Sequence, residues 1–289
     1  MPFPDLASIV SRSRTRNLPA RHIVTAVTGL KCEGGVLLYA DRNIVQSDLT
    51  RTEGCKIYTR DLPSGSVALG NSTDDAIAGE DLAMRILDDL EKAKSPDIPK
   101  TIERVRRQMQ NWSKGYRKNL PSLHSLIAFA HSGKAYLYLL QPPNAVLSKH
   151  AYSIGGGSRV IEPMLKGLAP EDEMFPVRVG LLHLAYMTRR AKEQEALVGG
   201  GAGWTGSDAV YIPFAGSAKK VDPVELQLAE ELTSSLDECV SFTLNVMMGL
   251  HSPKELETMA DAQRGLIVNY ANSLTRNATF SALDDEQPR

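Results

Sequence analysis

Four residues in the first quarter of the chain carry groups that could do chemistry together: Thr25, Asp41, Lys56 and Gly70. A threonine hydroxyl is a poor nucleophile unless a base lies within hydrogen-bond reach. A lysine ammonium lowers the pKa of a neighbouring amine, which leaves more of that amine free to act as the base. A carboxylate keeps such a lysine charged and oriented, and a glycine lets a substrate backbone approach closely. Taken one at a time, each residue has a plainer explanation. Thr25 is β-branched in an expected strand, where threonines pack well. Asp41 and Lys56 would make a surface ion pair worth under ~1 kcal/mol.

Other patterns in the chain carry less. Gly201-Ala202-Gly203-Trp204-Thr205-Gly206 has the letters of a dinucleotide fingerprint. It follows an expected helix and precedes an expected strand, the reverse of the strand-to-helix context that the phosphate-binding mechanism needs. No Gly-Lys-Ser/Thr accompanies it, so a P-loop is excluded. The six histidines are scattered without metal-pair spacing, and no cofactor or metal is expected. His183 falls on an apolar helix and is expected to be packed there. Cys32 lies mid-strand with no histidine nearby in sequence. Cys32, Cys55 and Cys239 cannot all pair and read as reduced thiols of a cytoplasmic protein.

The elements that must position these residues can be read from periodicity. Ile23 to Val27 and Val36 to Ala40 form an expected hairpin around Glu33-Gly34-Gly35. Lys56 to Thr59 and Ser66 to Leu69 form a second strand pair. Helix spacing follows at Ile77, Leu82, Ile86, Leu87 and Leu90, after the candidate caps Thr73 and Asp74. Ile102, Val105, Met109, Trp112 and Tyr116 line one face of a second helix, whose other face is basic. Strands return at Leu126 to Ala130, Ala135 to Leu140 and Ala145 to Tyr152. Gly155-Gly156-Gly157 leads into a helix at Ser158, and a longer helix spans about Val177 to Leu197. A last strand covers Ala209 to Phe214.

Beyond it, Asp222-Pro223-Val224-Glu225 has the form of a helix start. The face then continues through Leu226, Ala229, Leu232, Leu236, Cys239 and Val240, and another helix spans Leu256 to Tyr270. Strands and helices grouped in pairs predict an α+β fold rather than a parallel βαβ sheet. The expected organisation is a flexible basic leader over 1–22, a layered domain over 23–221, and a helical extension with a disordered tail over 222–289.

With these elements in place, the run Thr25-Ala26-Val27-Thr28-Gly29-Leu30-Lys31-Cys32-Glu33-Gly34-Gly35-Val36-Leu37-Leu38-Tyr39-Ala40-Asp41-Arg42 resembles the opening of proteasome subunits. The resemblance continues through Lys56-Ile57-Tyr58, Val67-Ala68-Leu69-Gly70 and Ile154-Gly155-Gly156-Gly157-Ser158. It covers roughly Ile23 to Phe214. It implies an N-terminal-nucleophile hydrolase: a four-layer αββα sandwich of two antiparallel sheets flanked by helices, here with a C-terminal helical extension. It also implies roles. Thr25 matches the nucleophile whose own freed amine serves as base. Asp41 matches its acidic partner, Lys56 the lysine after a one-residue deletion, and Gly70 the glycine whose N–H helps hold the oxyanion.

Some positions depart from the family pattern. Val24 stands where self-processing relatives have glycine. Gly156 replaces an auxiliary serine, and Ala196-Leu197-Val198-Gly199-Gly200 lacks the polar residues of the Asp-x-x-Ser-Gly motif. Three functions follow as expectations: a threonine-type peptidase in a ring-shaped self-compartment, a non-catalytic structural subunit of such a ring, and a small-molecule amidase of the same fold. The expected partners are copies of the chain or related subunits, with peptide or unfolded protein as substrate. A net charge of -1 gives no general attraction to nucleic acid or membrane. No apolar run reaches the ~18 residues that span a bilayer.

Overall fold

The computed structural model describes residues 25–45, 51–62, 65–93, 97–116, 120–168, 174–195, 198, 206–248 and 252–276. The leader and the tail lie outside them.

Twelve strands and six helices are found among the described residues. Strands β1 (Val27–Cys32) and β2 (Gly35–Asp41) form a hairpin, followed by the short ribbon β3 (Asn43–Val45) and β4 (Arg51–Glu53). Then come β5 (Ile57–Leu62), β6 (Gly65–Thr73), α1 (Ala76–Glu91), α2 (Ile98–Tyr116), β7 (Leu123–His131), β8 (Lys134–Gln141), β9 (Ala145–Lys149) and β10 (Ala151–Ile154). The chain closes with α3 (Ser158–Leu168), α4 (Val177–Gln194), β11 (Ser207–Pro213), β12 (Lys219–Lys220), α5 (Pro223–Met247) and α6 (Pro253–Arg276).

All the strand pairs are antiparallel. One sheet runs β10-β1-β2-β11-β12 and the other β5-β6-β7-β8-β9. Their facing surfaces enclose a core that includes Val27, Leu38, Ala68, Leu126, Leu137 and Ile212. The outer face of the second sheet is covered by α1 and α2 through Leu82, Ile86, Val105, Met109 and Trp112. The outer face of the first is covered by α3, α4 and the start of α5 through Ile161, Leu184, Ala191, Leu226 and Ala229. Helix, sheet, sheet and helix make the αββα sandwich, since each sheet is apolar on both faces and needs a cover on each.

Several local expectations shift. The first strand starts at Val27, so Thr25 and Ala26 precede it, and the expected start at Ile23 lies outside the described residues. The expected single strand from Ala145 to Tyr152 is two strands: β9 pairs with β8 in the second sheet, and β10 pairs with β1 in the first. The chain crosses between the layers at His150. Asp75, one residue past the candidate caps, caps α1 by accepting from Ala78 N at 3.0 Å. Val240, expected on the inner face of α5, is exposed, and nothing is described for the side chains of Leu236 and Cys239.

Ile77 was expected on the inner face of α1 but is 82% exposed, while Leu82 is 1% exposed. The inward stripe of the helix is Ala78, Gly79, Leu82, Ala83, Ile86, Leu87 and Leu90, and Ile77 falls on the other side of it. Ile77→Ser is therefore expected to change stability by no more than ~0.5 kcal/mol. Leu82→Ala should cost about 2–5 kcal/mol. Urea denaturation of the two variants checks the contrast, and a large loss from Ile77→Ser would contradict the packing described here.

Candidate functional site

Asp41 ends β2 with its side chain fully buried. A buried carboxylate needs donors on both oxygens, and the chain supplies them from several directions. Oδ1 accepts from the Thr25 hydroxyl at 2.9 Å and from Ala26 N at 2.6 Å. Oδ2 accepts from Asn43 N at 3.1 Å and from Lys56 Nζ at 2.9 Å. Lys56 Nζ also donates to the Asn43 carbonyl at 2.5 Å. Thr25 and Lys56 are themselves 4% and 7% exposed. The plain surface-ion-pair reading is thus replaced by a buried pair, and the hydroxyl of Thr25 is bonded to the same carboxylate rather than simply packed.

Backbone contacts fix each member. The Asp41 N–H donates to Ala26 O at 3.1 Å, tying the segment before β1 to the end of β2. Gly157 N donates to Thr25 O at 3.1 Å, and Asn71 N donates to Lys56 O at 3.0 Å. Gly155 has φ +95, and a Cβ built on it would lie 2.1 Å from Thr25 O, so a side chain there would push Thr25 aside. Gly70 pairs with Ile57 on one side and Leu126 on the other, and its Cβ position lies 2.6 Å from Val27 Cγ1. Packing between the sheets is reason enough for glycine at that position.

Burial pushes the Lys56 ammonium below its ordinary pKa. Asp41 and Asp208 oppose that effect, and the charge of Lys192 adds to it. The carboxylate of Asp41 holds this ammonium in place against the effect of burial. Burial drives the Cys32 thiol up to about 12, which removes it as a nucleophile at neutral pH. It is also the last residue of β1 rather than mid-strand. His183 packs edge-on against Phe175, as an apolar helix position suggests. Among the described residues no group of His, Cys, Asp and Glu could hold a metal ion. No described helix is long and apolar enough to cross a membrane.

Sequence reasoning did not find a second buried polar cluster. Lys192 on α4 donates to both carboxylate oxygens of Glu230 on α5 at 2.8 Å and to Ser207 Oγ on β11 at 2.9 Å. Ser207 Oγ and the Tyr39 hydroxyl donate to Glu230 Oε1 at 2.6 and 2.7 Å. The available signal was the spacing of Glu230, four residues after Leu226 on the inward face of its helix. The dinucleotide-like run lies outside the described residues except for Gly206. Of the run expected to replace the serine motif, only Val198 is described, and it is buried in the core.

The proteasome subunit family matches residues 24–176, more than half of the chain. No curated protein sequence matches it. Solved structures that share the fold include three of Anbu. An Anbu (Gly-1) mutant from Hyphomicrobium sp. strain MC1 superposes with a TM-score of 0.61 at 12% identity, covering 76% of this chain and 99% of that one. Anbu from Yersinia bercovieri, described as an ancestral beta-subunit, gives 0.62 at 10% identity over 76% and 97%. Another Anbu structure from the same Hyphomicrobium strain gives 0.57 at 14% identity over 75% and 97%.

Proposed function

Given that the chain belongs to the proteasome subunit family, we propose that it is a threonine-type peptidase whose nucleophile is Thr25, working in a ring-shaped assembly of copies or relatives. The observation that carries this reading is the convergence of Thr25, Asp41 and Lys56, with Oδ1 of Asp41 taking the hydroxyl and Oδ2 the ammonium. The likeness to a structure described as an ancestral beta-subunit supports assembly with copies or relatives.

In the sequence as it stands, the nitrogen of Thr25 is the amide of the Val24–Thr25 bond and cannot act as a base. Cleavage of that bond frees an α-amine, whose ordinary pKa near ~8 is already suited to proton transfer. The Lys56 ammonium lowers it further, while Asp41 keeps Lys56 in place. The Thr25 hydroxyl then attacks a peptide carbonyl and passes its proton to the amine, which hands it to the departing peptide nitrogen as the C–N bond breaks. The resulting acyl-threonine is hydrolysed by water, which restores the hydroxyl. Gly70, the glycine matched by resemblance to the oxyanion donor, lies in β6 between Ile57 and Leu126 with its N–H turned toward β7.

A second reading has its own observations. Val24 places a β-branched residue where the turn for self-cleavage must form, and Gly156 offers no hydroxyl. These favour a structural subunit with an unprocessed leader. Mass spectrometry of the purified protein, together with a threonine-directed covalent inhibitor, separates the two. A species beginning at Thr25 that is labelled there supports the peptidase. An intact, unlabelled chain supports the structural subunit.

A further inference from the structure

The cluster around Glu230 lies next to the proposed site, and the reading above makes no use of it. Ser207 stands directly opposite Asp41 in the ladder between β2 and β11, and Tyr39 precedes Asp41 by two on the same strand. Residues two apart on a strand, and residues directly opposite across a ladder, point to the same face of the sheet. Tyr39, Asp41 and Ser207 therefore share a face, and Glu230 reaches two of them from α5. Glu230 also clasps the Lys192 ammonium through both oxygens, with both residues largely buried.

We infer that Glu230, on the helical segment after Asp222, is a positioning residue for the Thr25–Asp41–Lys56 site: it neutralises Lys192 and braces the β2–β11 ladder beneath Asp41. This rests on the proposed reading of that site. Lys192 on α4 donates to Ser207, whose ladder partner Asp41 holds Lys56, so the two ammonium groups are linked through one strand pair and the charge of Lys192 opposes that of Lys56. Without a carboxylate on it, the Lys192 ammonium would drive Lys56 toward its neutral form and loosen its hold on Asp41.

The surrounding charges are otherwise engaged. Asp208 on β11 is ion-paired with Arg42 at 3.8 Å and Lys220 at 3.7 Å, and its charge supports that of Lys56. Arg189 on α4 pairs with Glu193 and with Asp237 of α5, and Arg190 pairs with the same two carboxylates. Glu230 is the carboxylate aimed at Lys192. A segment that looks like an addition to the sandwich thus supplies a charge to its centre.

The test is the titration of the Lys56 side chain, followed by NMR of its ε-methylene and ammonium groups in the full-length protein. Glu230→Gln leaves Lys192 without its counter-charge, so Lys56 is expected to lose its proton at lower pH than in the wild type. Lys192→Met removes the opposing ammonium, so Lys56 is expected to titrate at higher pH. The double variant, with both charges gone, should return toward the wild-type midpoint.

Should Glu230→Gln fail to fold, the upward shift in Lys192→Met still decides the matter. A Lys56 midpoint that does not move in either folded single variant overturns the inference, because a merely structural Glu230 would lower the urea midpoint and leave Lys56 unchanged. The readout does not depend on hydrolysis. Shifts in Lys56 with no labelling at Thr25 would sink the peptidase reading and leave the coupling in place.

Discussion

Replacing Asp41 with asparagine is expected to destabilise the protein by about 3–5 kcal/mol, the scale seen when one member of a buried ion pair is removed. Lys56 would keep the Asn43 carbonyl as a partner but lose the carboxylate that offsets its burial. Lys56→Met should cost clearly less. Asp41 would still accept from the Thr25 hydroxyl and from the Ala26 and Asn43 backbone N–H groups, and those dipoles keep the anion satisfied. Urea denaturation at neutral pH gives the comparison, and a larger loss from Lys56→Met would contradict the donor arrangement described for Asp41.

The same pair sets a pH dependence. Lys56 has a folded-state pKa lowered below 10.5, mainly by burial. Between the folded and unfolded values the unfolded chain binds more protons, so this group makes stability rise with pH through that window. Below the window, the cost of holding the charged form in the fold is fully present. Subtracting the profile of Lys56→Met from that of the wild type should isolate this upward slope below pH 10.5. A difference profile that falls with pH there would mean that Asp41 outweighs burial.

The second large effect concerns Thr25. If the processed chain cleaves peptides, Thr25→Ala should lower kcat/KM by on the order of 10^3 or more, as nucleophile deletions do. Thr25→Ser should retain much of the activity, because the hydroxyl and the backbone amine are both kept. Stability separates the chemical role from a structural one. Thr25→Ala loses one hydrogen bond to a carboxylate, worth about 1.5–3 kcal/mol, and the protein should stay folded. A folded Thr25→Ala protein with unchanged hydrolysis would remove Thr25 from the chemistry. Val24→Gly is expected to speed the appearance of a chain beginning at Thr25.

The long, strongly patterned elements were legible in the sequence, as were the layered fold and the three polar residues that meet at Asp41. Leu82, Ile86, Leu87 and Leu90 of α1 and Val105, Met109 and Trp112 of α2 announce their buried faces by helical spacing alone, and all are buried. The burial of the ion pair was not legible. Nothing in the residues around Asp41 or Lys56 says that both are buried, because the groups that surround them come from segments distant in sequence. The division of Ala145 to Tyr152 into two strands was hidden for a similar reason. No glycine or proline marks His150, where the chain changes layers. Glu230 was missed because a lone carboxylate on an apolar face looks like an exception until its partners on α4, β2 and β11 are known.

The division of strands between the two sheets has a consequence for synthesis. The second sheet and its two covering helices come from the continuous stretch between Ile57 and Lys149, so that half can collapse as soon as it leaves the ribosome. The hairpin of β1 and β2 is made earlier still, yet its neighbours are β10 and β11, and the last of these ends at Pro213. At roughly 5–20 residues per second, its open edges wait on the order of ten to thirty seconds for their partners. The nascent chain therefore displays an apolar hairpin with an open edge through much of its translation, and a holding chaperone or a neighbouring chain has that interval in which to reach it.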